Sequence, residues 1–341
     1  MAELSGPADQ AASVTAAGLP SRPLGRSPVR VTELSFGGAA IGNLFTEVSD
    51  DDARAAIDAA WDGGIRAFDT APHYGLGLSE RRLGDALRHR PRAEYVISTK
   101  VGRLLEPAIP GGCAVGRDPE GFAVPADYVR RTDFSADGVR RSIEASLRRL
   151  GLDRVDIALI HDPDDHGEQA IREAYPALER MRAEGMVSAI GVGMNEVAML
   201  TRFVADTDID VVLEAGRYTL LDTSAADALL PAAVRRGVSV IAGGVFNSGL
   251  LAAPRPGSTY DYAAAPAELL ARAILLEETC ARFDVPLRAA AARFPLTHPT
   301  VASVLIGARS AAEVTDAIRL RALDIPAALW DALAVPHFSG G

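Results

Sequence analysis

At 341 residues, with 48% hydrophobic and 23% charged side chains, the chain has the composition of an ordinary globular protein, neither disordered nor membrane-embedded. No apolar run approaches the roughly 18 residues that a spanning helix needs. A formal charge of −10 opposes a phosphate-backbone partner, so neither membrane nor nucleic acid is expected as a partner.

The two cysteines, Cys113 and Cys280, are far apart, which is no disulfide framework and suits a reducing cytoplasm. Cys280 reads as a buried helix residue. Residues 1–23 are rich in Ala, Ser, Gly and Pro and lack a basic segment ahead of an apolar one, so they are expected to form a disordered tail and not a secretory signal. Residues 24–341 are expected to fold as one domain.

Val29 to Leu34 suggests a short hairpin under the fold, and Ser35-Phe36-Gly37-Gly38-Ala39 reads as a first strand whose glycines permit close approach of a ligand. Ser49 with Asp50, Asp51 and Asp52 opens a helix that Gly63-Gly64 stops. The second strand runs to Phe68-Asp69, and Pro72 and Gly75 then turn the chain into a loop carrying Tyr74. Ser79 is expected to open the next helix. Tyr95 to Val101 is a third strand, with Lys100 near its end.

Ser135 to Leu150 is the clearest helix: Ser135 is the N-cap, Val139, Ile143 and Leu147 recur at spacing four, and Gly151 ends it. Asp156 to His161 is the fourth strand. Helical and strand segments then alternate: Glu168 to Gly185, Val187 to Val192, Glu196 to Ala205, Val211 to Tyr218, Ala225 to Gly237 and Val238 to Ala242. Helices over Pro266 to Phe283 and Leu287 to Phe294 precede Val304 to Ile306, and Ala312 to Leu320 closes the set. Eight strand-then-helix units predict an α/β fold, a single-domain (β/α)8 TIM barrel. Leu104 to Asp133 and Asn247 to Ala265 are too long for simple connections and should overhang the C-terminal face. Arg148-Arg149 and Arg235-Arg236 read as solvated helix faces.

Asp69, Lys100 and His161 each end an apolar run of parallel-strand type, so they point toward one shared rim, with Tyr74 just beyond it. With these four residues in order, the sequence resembles the aldo-keto reductase family from about Leu24 to about Leu323, and the family's catalytic Asp, Tyr, Lys and His fall on Asp69, Tyr74, Lys100 and His161. The stretches His73 to Glu80, His161 to His166 and Ala215 to Asp222 look like its sugar 1-dehydrogenase branch, with the L-fucose and L-galactose dehydrogenases. Pyridoxal 4-dehydrogenase is a neighbour.

The resemblance implies NAD or NADP as cofactor and hydride transfer from C1 of an aldose, giving a lactone. Tyr74 would be the general base, its phenolate favoured by Lys100, which Asp69 holds charged; His161 would orient the reacting oxygen. Alternatives are a pyridoxal 4-dehydrogenase, a general aldehyde or ketone reductase, or, outside enzymes, a nicotinamide-binding redox sensor.

No Gly-x-Gly-x-x-Gly follows a strand, so a Rossmann domain is not supported. The dinucleotide is expected instead in the loops after strands seven and eight, at Gly244, Phe246, Asn247, Ser248 and Gly249 and at Gly307, Arg309, Ser310 and Glu313. Gly38, Asn195 and Tyr218 complete the expected cofactor contacts; His73, Asp162 and Arg217 are the expected substrate contacts. No metal is expected. The sequence departs from the family's usual residues at Met194, Ala215, Gly243 and Ala317.

Overall fold

The computed structural model describes residues 18–108 and 116–334; Cys113 and residues 1–17 of the expected tail lie outside them. Eight parallel strands close into a barrel in chain order: β1 (Leu34–Gly37), β2 (Ala67–Asp69), β3 (Val96–Val101), β4 (Ile157–His161), β5 (Ala189–Met194), β6 (Val211–Ala215), β7 (Ser239–Gly243) and β8 (Val301–Gly307). Pairing of Val304 with Leu34 seals β8 to β1.

Side-chain alternation along each strand divides the core in two. In β4, Ile157 and Leu159 face the barrel interior, while Ala158 and Ile160 face the surrounding helices. The interior cluster also contains Ala67, Ala189, Val211, Leu213, Ile241 and Ala302, so the barrel is packed and not a pore. Leu24, Val29 and Val31 join this cluster from below. They belong to a hairpin in which Ser21–Pro23 pairs antiparallel with Arg30–Thr32. The expected tail therefore ends before Ser21. Arg22 is fixed there by Glu33 at 2.8 Å and by the Val301 carbonyl at 2.8 Å, a tertiary anchor invisible in local composition.

The helices begin where capping chemistry allows. Ser49 accepts the Asp52 N–H at the start of α1 (Asp50–Asp62). The second helix, α2 (Leu78–Leu87), corrects the sequence reading: Gly77 is its N-cap, and Ser79 is fully buried, its hydroxyl 2.8 Å from that of Thr70. In α3 (Ala136–Leu150), Ser135 caps the Gly138 N–H and Gly151 at φ 65° stops the helix, as its sequence pattern implies.

Two excursions rise above the C-terminal ends of the strands. The long segment expected over Leu104 to Asp133 contains an antiparallel ribbon, Arg103–Pro107 paired with Tyr128–Thr132. A smaller one pairs Thr259–Tyr260 with Ala263–Ala264.

Candidate active site

Asp69 is the last residue of β2, Lys100 the penultimate residue of β3 and His161 the last of β4, so consecutive strands deliver them to one end of the barrel. Tyr74 arrives from the turn after β2. That turn needs glycine at position 75: φ is +62°, and a Cβ there would lie 2.2 Å from the Gly42 carbonyl oxygen.

Lys100 is the hub. Its ammonium donates to Asp69 Oδ2 at 2.6 Å, to the Thr70 carbonyl at 3.0 Å and to Tyr74 Oη at 3.1 Å, while only 2% of the residue is exposed. Ser98, two residues earlier and so on the same face of β3, donates to Asp69 Oδ1 at 2.5 Å. Asp69 thus has both oxygens engaged. The His161 ring stands perpendicular to the Tyr74 ring, with centroids 5.8 Å apart.

Burial and partners compete in setting the protonation states. Burial favours neutral Lys100, but the Asp69 carboxylate and the Tyr74 oxygen outweigh it and raise the ammonium pKa. At Tyr74 burial wins instead: the phenol is pushed above its usual 10, against the opposing pull of Lys100. The expected stabilisation of phenolate by Lys100 is present but smaller than the effect of burial. His161 is held neutral, its pKa well below the usual 6.5 because of burial first and the Lys100 charge second. A neutral imidazole offers one donor and one acceptor.

The wall and rim contain groups that the sequence reading missed. Phe122, from the excursion after β3, lies 6.2 Å from the Tyr74 ring and 5.2 Å from that of His73. Arg130 grips Asp118 with two nitrogens at 2.6 and 2.7 Å and donates to the His73 carbonyl at 2.9 Å. Arg103 binds Asp162 Oδ2 at 2.9 Å. The aromatic and β-branched residues Tyr128, Val129 and Thr132 were the available signal for the ribbon; nothing local pointed to Phe122.

The expected substrate contacts divide. His73 and Asp162 stand beside His161, His73 at 5.6 Å between ring centroids and Asp162 Oδ2 at 3.5 Å from Nε2. Burial, with Arg103 and Arg130, lowers the His73 pKa to about 3, so it is neutral at the wall. Arg217 is instead engaged with Asp261 at 2.8 Å, tying the small ribbon to the loop after β6.

Among the expected cofactor residues, Gly244, Asn247, Ser248 and Gly249 all have positive φ, a tight turn in which the Asn247 N–H donates to the Gly244 carbonyl at 2.8 Å and the Gly249 N–H to the Phe246 carbonyl at 3.0 Å. A Cβ on Gly249 would meet nothing within 4 Å, so there is open space beside its Cα. Asn247 donates to the Gly216 carbonyl at 3.2 Å, and its Oδ1 is buried without a partner among the described residues. After β8, Gly307 leaves similar room, with the nearest atoms 3.9 Å from a Cβ. Ser310 caps the Glu313 N–H at 3.3 Å and Glu313 accepts from the Arg309 N–H at 2.7 Å, beginning the helix Ala311–Arg321.

These features fit a dinucleotide: a turn with open space at Gly249 for its pyrophosphate and a capped helix start for its adenosine end. Phe246 packs partly against the core, and Asn195 is exposed after β5. Tyr218 and Gly38 are both held by packing. Tyr218 is 1% exposed and packs on Phe294, 5.0 Å between centroids, so its ring is turned into the helical layer. Gly38 is tight because a Cβ would come within 2.5 Å of Ser79 Oγ and 2.7 Å of the Asp69 carbonyl, so packing alone requires glycine there.

The description "Aldo/keto reductase family" matches residues 33–334. The chain belongs to this family and is an oxidoreductase. It is 48% identical over 310 residues to a D-threo-aldose 1-dehydrogenase of Pseudomonas sp, covering 89% of this chain and 93% of that one. It is 40% identical to a pyridoxal 4-dehydrogenase of Microbacterium luteolum, over 92% of this chain and 96% of that one. The holo form of an aldo-keto reductase from Bacillus halodurans superposes with a TM-score of 0.73 at 27% identity, over 92% of this chain and 95% of that one. The cofactor class is therefore a nicotinamide dinucleotide. No described helix is long and apolar enough to cross a membrane.

Glu214, on the outward face of β6, has no counterpart in the sequence expectations. It is fully buried, Oε1 accepts the Arg217 N–H and Oε2 has no partner among the described residues. Burial raises its pKa from 4.5 to about 8, against the Arg217 hydrogen bond. Folding therefore takes up a proton between those values, and stability falls as pH rises from about 5 through about 8. Glu214→Gln should flatten that fall, with its advantage over the parent growing to a few kcal/mol by pH 8. Parallel unfolding curves for the two proteins at pH 5, 7 and about 8.5 would contradict this.

Proposed function

We propose that the chain oxidises C1 of a cyclic aldose to a lactone, with NAD as the acceptor. The observation that carries the reading is the placement of the Lys100 ammonium between the Asp69 carboxylate and the Tyr74 hydroxyl, at 2.6 and 3.1 Å. The dinucleotide, when bound, supplies the hydride acceptor. Tyr74 takes the proton of the anomeric hydroxyl, and Lys100 stabilises the phenolate that this requires. Asp69, anchored by Ser98, keeps Lys100 charged and aimed. Neutral His161 sets the angle of the reacting oxygen.

A sugar is favoured by the 48% identical aldose dehydrogenase and by a rim of Asp162, Arg103, Glu120 and His73, which can bond several hydroxyls of one small ligand. Pyridoxal is the second reading. It is motivated by the Microbacterium luteolum relative. Purified protein is mixed with NAD or NADP and L-fucose, L-galactose, D-arabinose or pyridoxal, and the reduced cofactor is followed by absorbance. Turnover of a sugar with lactone formed supports the reading; reaction with pyridoxal alone rejects the sugar.

The Arg309 to Glu313 turn frames the choice of cofactor. The Glu313 carboxylate suits a ribose hydroxyl, as NAD offers, whereas the Arg309 guanidinium is the group able to receive a 2′-phosphate. Arg309→Ala should therefore weaken NADP by about tenfold and NAD much less. Equal loss for both in direct titrations would place Arg309 away from the phosphate.

A further inference from the structure

A cleft of about 520 Å³ opens on the flank of the barrel where α2, α3 and the Arg103–Thr132 excursion meet. Leu76, Leu105, Ala145 and Tyr128 form its apolar side; Arg81, Arg88, Arg148 and Arg149 line it with Asp85. Such a volume suits a small organic ligand. The sequence reading took Arg148-Arg149 for a solvated face, but Arg149 is drawn inward, its Nε 2.5 Å from Oε2 of fully buried Glu80.

The charges do not balance. Glu80 holds Arg149 and Asp85 holds Arg88, but among the described residues the Arg81 and Arg148 guanidiniums have neither a hydrogen bond nor an ion pair. Two guanidiniums are thus unmatched on a protein whose formal charge is −10. Partial enclosure and the Arg149 guanidinium lower the Arg81 pKa, so the positive charges bear on one another. Space is reserved for them as well. At Gly77 a Cβ would lie 2.6 Å from Arg149 Cδ and 3.3 Å from an Arg81 guanidinium nitrogen.

We propose that this cleft is a binding site for a small organic phosphate monoester. Planar guanidiniums hold phosphate oxygens in pairs, and the Leu76, Leu105 and Tyr128 side receives the organic body. Its lining contains none of Asp69, Tyr74, Lys100 and His161, and it serves a ligand other than the substrate.

Isothermal titration of the full chain at fixed ionic strength tests this, using glycerol 3-phosphate as the probe because it lacks an anomeric carbon. Inorganic phosphate and citrate are run beside it. The expected result is saturable binding of glycerol 3-phosphate, tighter than either comparison ion. Arg81→Gln and Arg148→Gln should each weaken it about tenfold or more, the worth of one charged hydrogen bond. Both side chains are exposed, and an unchanged unfolding midpoint without ligand shows that each variant folds. Arg235→Gln, an exposed charge elsewhere, should leave binding unchanged. Absence of saturable binding, equal weakening by Arg235→Gln, or tighter binding of citrate would each overturn the proposal.

Discussion

Tyr74→Phe is expected to lower turnover by roughly 10²-fold to 10⁴-fold, the usual cost of removing a positioned acid or base. Cofactor affinity should barely change, because the hydroxyl makes its hydrogen bond to Lys100 and not to the proposed dinucleotide loops. The pH profile gives a second readout. Oxidation requires the deprotonated phenol, and burial holds that pKa above 10, so the parent rate should still be climbing at alkaline pH. The residual rate of the variant should lack that limb. Near-normal turnover by Tyr74→Phe would remove the phenol from the mechanism.

Lys100→Met should be costly in two ways. It strands the Asp69 carboxylate, 4% exposed, beside an uncharged chain, and breaking a buried pair by deleting one partner costs about 3–5 kcal/mol. It also removes the charge that opposes burial at Tyr74, raising a phenol pKa that is already high and abolishing oxidation at neutral pH. Asp69→Asn combined with Lys100→Met leaves no lone buried charge. This double variant should recover most of the stability in chemical unfolding while remaining inactive. If the single and double variants unfolded at the same denaturant concentration, the pair would not be the structural unit described above.

Asp69, Tyr74, Lys100 and His161 could be placed together from sequence because each polar residue closes an apolar run or follows a Pro- and Gly-marked turn. Parallel strands of one barrel end at one rim. Ser98 was not legible: its pairing with Asp69 depends on register between β2 and β3, which no local pattern encodes. Ser21–Pro23 looks like tail by composition and becomes strand only through Arg22 reaching Glu33 and Val301. Tyr218 lies in a motif-like stretch, but the strand ends at Ala215 and the chain turns its ring toward Phe294. Local chemistry thus identifies the ends of elements. Contacts between distant segments decide which way the next side chain points.

The hairpin beneath the barrel has a consequence for the order of events. Leu24, Val29 and Val31 fill the lower end, so there is no rear exit through the packed interior. Two molecules that meet at Lys100 and Tyr74 must use the same entrance. Whichever lies deeper has to arrive first and depart last, and turnover becomes a queue with an obligatory sequence of arrivals and departures.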